Sequence, residues 1–296
     1  MVVAIATRNR PEGCVRTVER IKQQRFDKPT ELRIVVVDNA APAEASPEDL
    51  PEDVELLREE ELGIAQARNR VVAHCADSVD VIAFIDDDEY PQRSDWLQLH
   101  LDELGRSRAT ISTGPVLPDF EAEGPPWLLA HPLFRTCRYP TGTLMEVAYT
   151  GNMVISLEQD EPFKSLWFSP AFGQTGGSDT DFSRRASELG AKIVWVDSAV
   201  VMERVPRSRT TFRWVLRRSR RLGANRIQRL REGTPGERGM PAQVGIAVAE
   251  LVVGLVAASL TPVIGRRLGF IGLGRAARGW GALTAATTGR FVAEYM

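Results

Sequence analysis

Cysteine is scarce in this 296-residue chain: Cys14, Cys75 and Cys137 are odd in number and widely spaced, with no C-x-x-C pair. That usage fits a reducing compartment and leaves no thiolate zinc site. Lysine occurs only at Lys22, Lys28, Lys164 and Lys192, while arginine is abundant. A net charge of −2 provides no global basic field, so nucleic acid is not an expected partner. The three histidines, His74, His100 and His131, stand alone and far apart. There is no Ser-His-Asp or Cys-His arrangement, no G-x-x-x-x-G-K-S loop, and no G-x-G-x-x-G after the first apolar run. The opening MVVAIATRNRP reaches Arg8 too early for the apolar region of a secretory signal and lacks a leading basic stretch, so the expected start is cytosolic.

What is there has the balance of a folded protein, 43% hydrophobic and 26% charged. The length suits one large α/β domain, or a domain with an appendage. Short apolar runs at 2–6, 32–37 (LRIVVV), near 54–57, and at 81–85, 110–116, 150–156, 193–196 and 199–202 read as strands. Between them, 12–24, 63–75 and 95–104 have helical spacing, with Ala65, Ala67 and Val71 as a small inner face. Residues 173–190 read as a Gly-rich loop running into a helix. This alternation predicts a mainly parallel sheet with helices on both faces. Residues 118–146, rich in proline and aromatics, read as an irregular flap.

The stretch VIAFIDDDEYP, 81–91, crowds four carboxylates at the mouth of an apparently buried strand. Like charges this close disfavour one another's ionisation, so a positive group is expected beside them. In open α/β sheets ligands bind beyond the carboxyl ends of the strands, where Asp38 and Asp86–Asp88 both fall. Clustered carboxylate oxygens there suit a hard cation, Mg2+ or Mn2+, and such a cation usually accompanies a phosphate ligand. The alternative is a solvated acidic turn.

VAIATRNRP, VVVDNA, GIAQARN, FIDDDEYP, TGNMVIS, GGSDTDF and the late ERVP, in this order across about residues 2–222, resemble the inverting family 2 glycosyltransferases. The resemblance implies the GT-A fold, a Rossmann-like α/β arrangement, as a catalytic domain over 1–210. Its forms are most similar to enzymes that extend lipid-linked polysaccharide repeat units. By the same resemblance Thr7 and Asp38 meet the nucleotide base, with Asp38 accepting from a uracil N–H, so a UDP-sugar donor is implied. Arg68 falls near the ribose or pyrophosphate, Asp86 near the ribose, and Asp88 on the metal. Three consecutive aspartates permit two registers, which leaves Asp87 open and makes Asp86 a second metal candidate. Arg8 and Arg10 are candidates to pair with phosphate or with acidic neighbours, and Glu89 is expected to face solvent or the following helix.

An inverting transfer needs a base for the acceptor hydroxyl. The family's usual Glu-Asp pair is here Ser178-Asp179. Asp179 still matches the base, and Asp181 is the alternative, both also being ordinary acids for the first turn of a helix. Asn152 is a candidate to hydrogen-bond an acceptor hydroxyl, with Gly151 admitting a sugar closely. Trp127 is set to stack on an acceptor sugar or simply to pack. Arg207 is a candidate for a donor pyrophosphate or an acceptor phosphate, and Glu203 stands where relatives often place a metal-proximal residue.

Residues 211–296 form a second region. Phe212–Leu222 reads as a basic amphipathic helix carrying Trp214, Arg217, Arg218, Arg220 and Arg221, a kind that lies on anionic membrane surfaces. Residues 231–239 read as a linker. The apolar run 240–265 is long enough to span a bilayer, but Glu250 is costly in lipid. Interfacial or re-entrant helices are expected, ahead of a true span or a buried dimerisation pair. The whole predicts a hexosyltransferase-type enzyme at the inner face of the plasma membrane, acting on a saccharide or lipid-diphosphate-linked acceptor in cell-surface polysaccharide synthesis. A nucleotidyltransferase would want an N-terminal Gly-rich phosphate loop that MVVAIATRNRP lacks. A membrane-anchored scaffold with an inactive site is opposed by the intact set Asp38, Asp86, Asp88 and Asp179.

Overall fold

A computed structural model describes residues 1–75, 77–122, 124–157 and 166–291. The chain divides into two compact units. The first comprises Met1–Leu117, Thr136–Gln174 and Ser178–Glu203. The second comprises Pro118–Arg135, Thr175–Gly177 and Arg204–Met296.

The strands, in chain order, are β1 (Val2–Thr7), β2 (Arg33–Asp38), β3 (Glu55–Arg58), β4 (Val81–Asp86), β5 (Glu89–Pro91), β6 (Ile111–Thr113), β7 (Val116–Phe120), β8 (Leu144–Met145), β9 (Met153–Ser156), β10 (Ile193–Trp195) and β11 (Val201–Val205). Eight form one sheet in the order β3-β2-β1-β4-β9-β6-β10-β8. β1 runs parallel to β2 and β4, β2 to β3, and β6 to β10. β9 lies antiparallel between β4 and β6, and β8 is antiparallel to β10.

Alternation along β1 explains the layers, because successive side chains leave opposite faces of a strand. Val2 and Ala4 join one core with Val35, Val37 and the helix Ile64–Cys75 (α2), where Ala65, Ala67 and Val71 are all buried. Val3 and Ile5 join the other core with Ile34, Val36 and the helices Pro11–Ile21 (α1) and Trp96–Ser107 (α3). Phe182 and Ala186, from the helix Ser178–Glu188, complete the first core. Helices therefore cover both faces, as the sequence predicts.

Three local expectations are corrected. Residues 110–116 are not one strand: a Cβ on Gly114 would stand 2.6 Å from Ala199 O and 2.9 Å from Val196 O, and Pro115 has no N–H to donate. The chain leaves the large sheet there, and β7 joins a second sheet of order β5-β11-β7. Residues 199–202 likewise do not close the large sheet, since β11 pairs antiparallel with β5. TGN, 150–152, is a 3-10 turn before β9 rather than part of it.

The second unit is helical: Pro126–Leu129 (α4), Phe212–Arg231, Met240–Ser259 and Thr261–Thr288. The last is broken at Gly265, whose φ of 84° is left-handed. Glycine lets these helices touch backbone to backbone. A Cβ on Gly223 would meet the backbone of Arg278, and one on Gly254 would fall 2.5 Å from both Gly272 O and Ala276 N. Glu250 is not left to solvent or lipid: Arg226 donates to it at 3.0 and 3.2 Å, and Arg278 lies 3.5 Å away. Arg221 is buried, so it is not part of a solvated basic face. Arg213, Arg217 and Arg220 are exposed.

Candidate active site

The register of β1 brings three sequence-predicted residues to one edge. Thr7 is level with Asp38, and Ala6 is level with Asp86. Asp38 is 2% exposed and well supplied with donors: the Ala40 N–H at 2.9 Å, the Ser46 hydroxyl at 2.6 Å, and Arg58. Arg8 forms a two-point pair with Glu44, at 2.9 and 3.1 Å.

Beyond β4 the acidic turn divides into inner and outer carboxylates. Asp87 points inward, taking the Thr7 hydroxyl at 2.8 Å and Arg10 Nη1 at 2.9 Å. Burial pushes its pKa up to about 6; Arg10 opposes the rise and Asp88 adds to it. Asp88 accepts the same Arg10 nitrogen at 2.9 Å. Asp86 and Asp88 lie further out, with side chains 39% and 19% exposed.

Glu89 corrects its expectation. It is buried, not solvent-facing, and its carboxylate accepts the Asp86 N–H at 3.0 Å. Burial, then the charges of Asp86, Asp88 and Glu203, hold its pKa well above the usual carboxylate range. Gly151 is what admits it, because a Cβ there would fall against the Glu89 carboxylate. The close approach expected of Gly151 toward a sugar is thus made by Glu89.

Arg68 ties the turn to the helix bearing the candidate base. Its guanidinium is buried over the Phe168 ring at 5.7 Å, donating to Asp86 Oδ1 at 3.0 Å and to Ser178 Oγ at 3.1 Å. Ser178 opens the helix Ser178–Glu188 (α5), after Gly176 and Gly177 at φ 80° and 97°. Asp179, half-buried in the first turn, accepts the Thr180 N–H at 2.7 Å. Asp181 is 2% exposed and held by Arg185 at 2.7 and 2.9 Å.

Asn152 does not reach a ligand. It is fully buried, its oxygen accepts Trp96 Nε1 and meets His100 Nε2 at 2.9 Å each, and its amide donates to Pro115 O and Ala199 O. All its hydrogen-bonding capacity is spent on the junction of the two sheets. Burial also lowers the pKa of His100 to about 4, keeping that partner neutral. Trp127 belongs to the second unit, where it packs edge-on against Phe270 with centroids 4.8 Å apart. Arg207, also in that unit, is exposed.

Residues 2–158, more than half of the chain, match the model of the family described as Glycosyl transferase family 2. The chain belongs to this family. Among curated proteins this family 2 glycosyltransferase is similar to the succinoglycan biosynthesis protein ExoM of Rhizobium meliloti (strain 1021), 27% identical over 244 residues, covering 80% of this chain and 77% of that one. Solved structures share the fold. The mannosyltransferase PcManGT of Pyrobaculum calidifontis, in complex with GDP-Man and Mn2+, matches 96% of this chain and 86% of its own at TM-score 0.57 and 16% identity. TarS 1-349 of S. aureus, in complex with UDP-GlcNAc, matches 96% and 90% at TM-score 0.51 and 13% identity. GalNAc-T7 with UDP, GalNAc and Mn2+ matches 77% of this chain at TM-score 0.52 and 16% identity; the chain spans about half, 51%, of that structure's length. The GT-A expectation is borne out.

The donor set of this family 2 enzyme suits a hard divalent cation. Asp86 and Asp88 are oxygen donors at the open edge of the sheet, backed by the buried acids Asp87 and Glu89. Among the described residues no three His, Cys, Asp or Glu side chains form a closed cage. Mg2+ is commonly held by only one or two carboxylates, with substrate phosphates and water filling the rest. Of the two partners the sequence offers Arg10, phosphate or acidic neighbours, the structure shows the acids: it lies on Asp87 and Asp88.

Proposed function

We propose that the protein is a metal-dependent, inverting glycosyltransferase that moves a sugar from a UDP-sugar to a saccharide acceptor carried on a lipid diphosphate, in cell-surface polysaccharide synthesis. The observation that carries this reading is the Arg68 bridge, which sets the nucleotide-side carboxylate Asp86 and the N-terminus of the helix bearing Asp179 against one guanidinium. In the proposed reaction Asp179 takes the proton of the acceptor hydroxyl as its oxygen attacks the anomeric carbon. The bond to the nucleotide diphosphate breaks on the opposite face, which inverts the centre. Asp88, with Asp86, would hold Mg2+ or Mn2+, which when bound offsets charge on the departing diphosphate. Thr7 and Asp38 frame the base, with the partly exposed Arg58 yielding its place on Asp38 to a uracil N–H. Arg8 and Asp87 support the same pocket.

The solved relatives named with UDP, UDP-GlcNAc or GDP-Man, two of them with Mn2+, support a nucleotide-sugar donor and a divalent cation. The relative named for succinoglycan biosynthesis supports a polysaccharide product. The helix Met240–Ser259 is long and apolar enough to cross a membrane. This supports work at the inner face of the plasma membrane, where Arg207 is a candidate contact for the acceptor diphosphate.

Calorimetric titration with UDP, with and without Mn2+, on the full chain and on Asp88→Ala tests the donor half of this reading. Binding that needs Mn2+ and is lost in the variant is expected. UDP binding indifferent to both would remove the metal, and no UDP binding at all would remove the uridine assignment.

A further inference from the structure

The acidic turn after β4 already holds a cation supplied by the chain itself. Arg10 Nη1 lies 2.9 Å from Asp87 Oδ1 and 2.9 Å from Asp88 Oδ2, so one guanidinium nitrogen spans two adjacent carboxylates. The backbone delivers it firmly. Asn9 takes a left-handed conformation at φ 53°, and Pro11 opens α1 immediately after Arg10. The missing side chain of Gly13 admits the turn, since a Cβ there would stand 2.9 Å from Asp87 O. Thr17, one turn further along α1, donates to Asp87 O at 3.2 Å and to Glu89 O at 2.5 Å. The inner carboxylate, Asp87, is committed to Thr7 and Arg10. Asp88 is the one that both Arg10 and a divalent cation would claim.

We infer that Arg10 is the resident counter-ion of the metal site, and that a divalent cation loads by displacing its guanidinium from Asp88, which ties metal uptake to the arrival of the nucleotide diphosphate. The inference rests on the metal-dependent reading above. Without a cation these carboxylates would repel one another. A guanidinium offsets that repulsion and holds them in place, but it also competes with a bare metal ion, which must shed water and dislodge a paired charge. A cation arriving with a diphosphate brings an anion with which a guanidinium pairs well. The Arg10 side chain is 39% exposed and so has solvent into which it can turn.

The test is Mn2+ binding to the full chain without nucleotide, by calorimetry and by the electron paramagnetic resonance of free Mn2+, for the wild type, Arg10→Gln and Arg10→Met. Arg10→Gln is expected to bind Mn2+ at least about tenfold more tightly than the wild type, the order produced by removing one nearby unit charge at a partly solvated position. UDP should narrow that gap. A purely structural Arg10 would not raise metal affinity when removed, so equal or weaker Mn2+ binding by the variant overturns the inference. Should Arg10→Gln fail to fold, judged by circular dichroism, Arg10→Met makes the same comparison, because it removes the same charge, and unchanged affinity there overturns it equally. If the wild type binds UDP only with Mn2+ while the variants gain nothing, the Arg10 inference falls alone. If none of the proteins binds Mn2+ with or without UDP, the metal-dependent reading falls with it.

Discussion

Arg68 and Ser178 lie 110 residues apart and are joined by a buried hydrogen bond of 3.1 Å, while the other arm of the same guanidinium holds Asp86 at 3.0 Å. A single planar fork thus sets the spacing between the strand end and the helix that starts at Ser178. Lysine is a point donor and cannot hold both partners in that geometry. Arg68→Lys is expected to lower turnover by about 10²-fold, the scale of a 1 Å misplacement of reacting groups. It should also lower the unfolding midpoint, since hydrogen bonds to charged groups are worth about 1.5–3 kcal/mol each. Steady-state kinetics and thermal melts on the same preparation check both; an unchanged turnover removes Arg68 from the positioning of the site.

Asp179 and Asp181 differ in what already holds them. Asp181 is buried against Arg185, a structural pair within α5. Asp179 is half-buried, at the start of that helix. Asp179→Asn is expected to cut transferase activity by about 10²–10⁴-fold, the usual share of a general base, while UDP binding persists. Asp181→Asn should act through stability instead, shifting the melt more than the rate. The reverse pattern in paired rate and melting measurements would move the base to Asp181.

Much of this site was legible because its residues sit at strand and helix ends whose apolar runs are short and sharply bounded. Asp38 and Asp86 are placed at strand ends by local pattern, while Asp179 is singled out by the family resemblance. Glu89 was not, since its burial depends on Gly151 being small, 62 residues away, and no periodicity records that. Asn152 follows the same logic: a polar residue before a strand gives no hint that Trp96, His100, Pro115 and Ala199 consume its whole amide. Glu250 looked costly in an apolar run because its partners, Arg226 and Arg278, lie on other helices.

Two inner acids set a pH dependence of stability. Asp87 rises from an ordinary 3.8 to about 6 in the folded protein, and Glu89 rises well above its ordinary value, both chiefly through burial. The folded state then binds more protons than the unfolded one across that interval. Stability from this source is full below the unfolded pKa values and is lost as pH rises through the folded ones. Glu89→Gln keeps an oxygen for the Asp86 N–H and removes the buried charge. The variant is expected to melt higher than the wild type at neutral pH, and the gap should shrink as pH falls toward about 4. A gap constant with pH would mean that the fold does not raise the Glu89 pKa.

The helix Met240–Ser259 wears its polarity inside out for a water-facing element. Its charged residue, Glu250, is paired with Arg226 and Arg278, while Val248, Val252, Val253, Leu255 and Val256 are each about half exposed. At its end Leu260, Val263 and Leu268 continue the apolar surface, beside the exposed Arg266 and Arg267. Contiguous exposed apolar surface of this kind marks an interaction face, and adjacent arginines favour an anionic membrane by about 1 kcal/mol each. The full chain is expected to float with vesicles containing anionic phospholipid. Val252→Asp with Val256→Asp should abolish flotation, whereas Arg266→Ala with Arg267→Ala should weaken it by about tenfold or more and reduce its sensitivity to salt. If the aspartate variants still float, lipid does not cover this face; if they instead convert a dimer to a monomer on gel filtration, the apolar face belongs to a second copy of the chain.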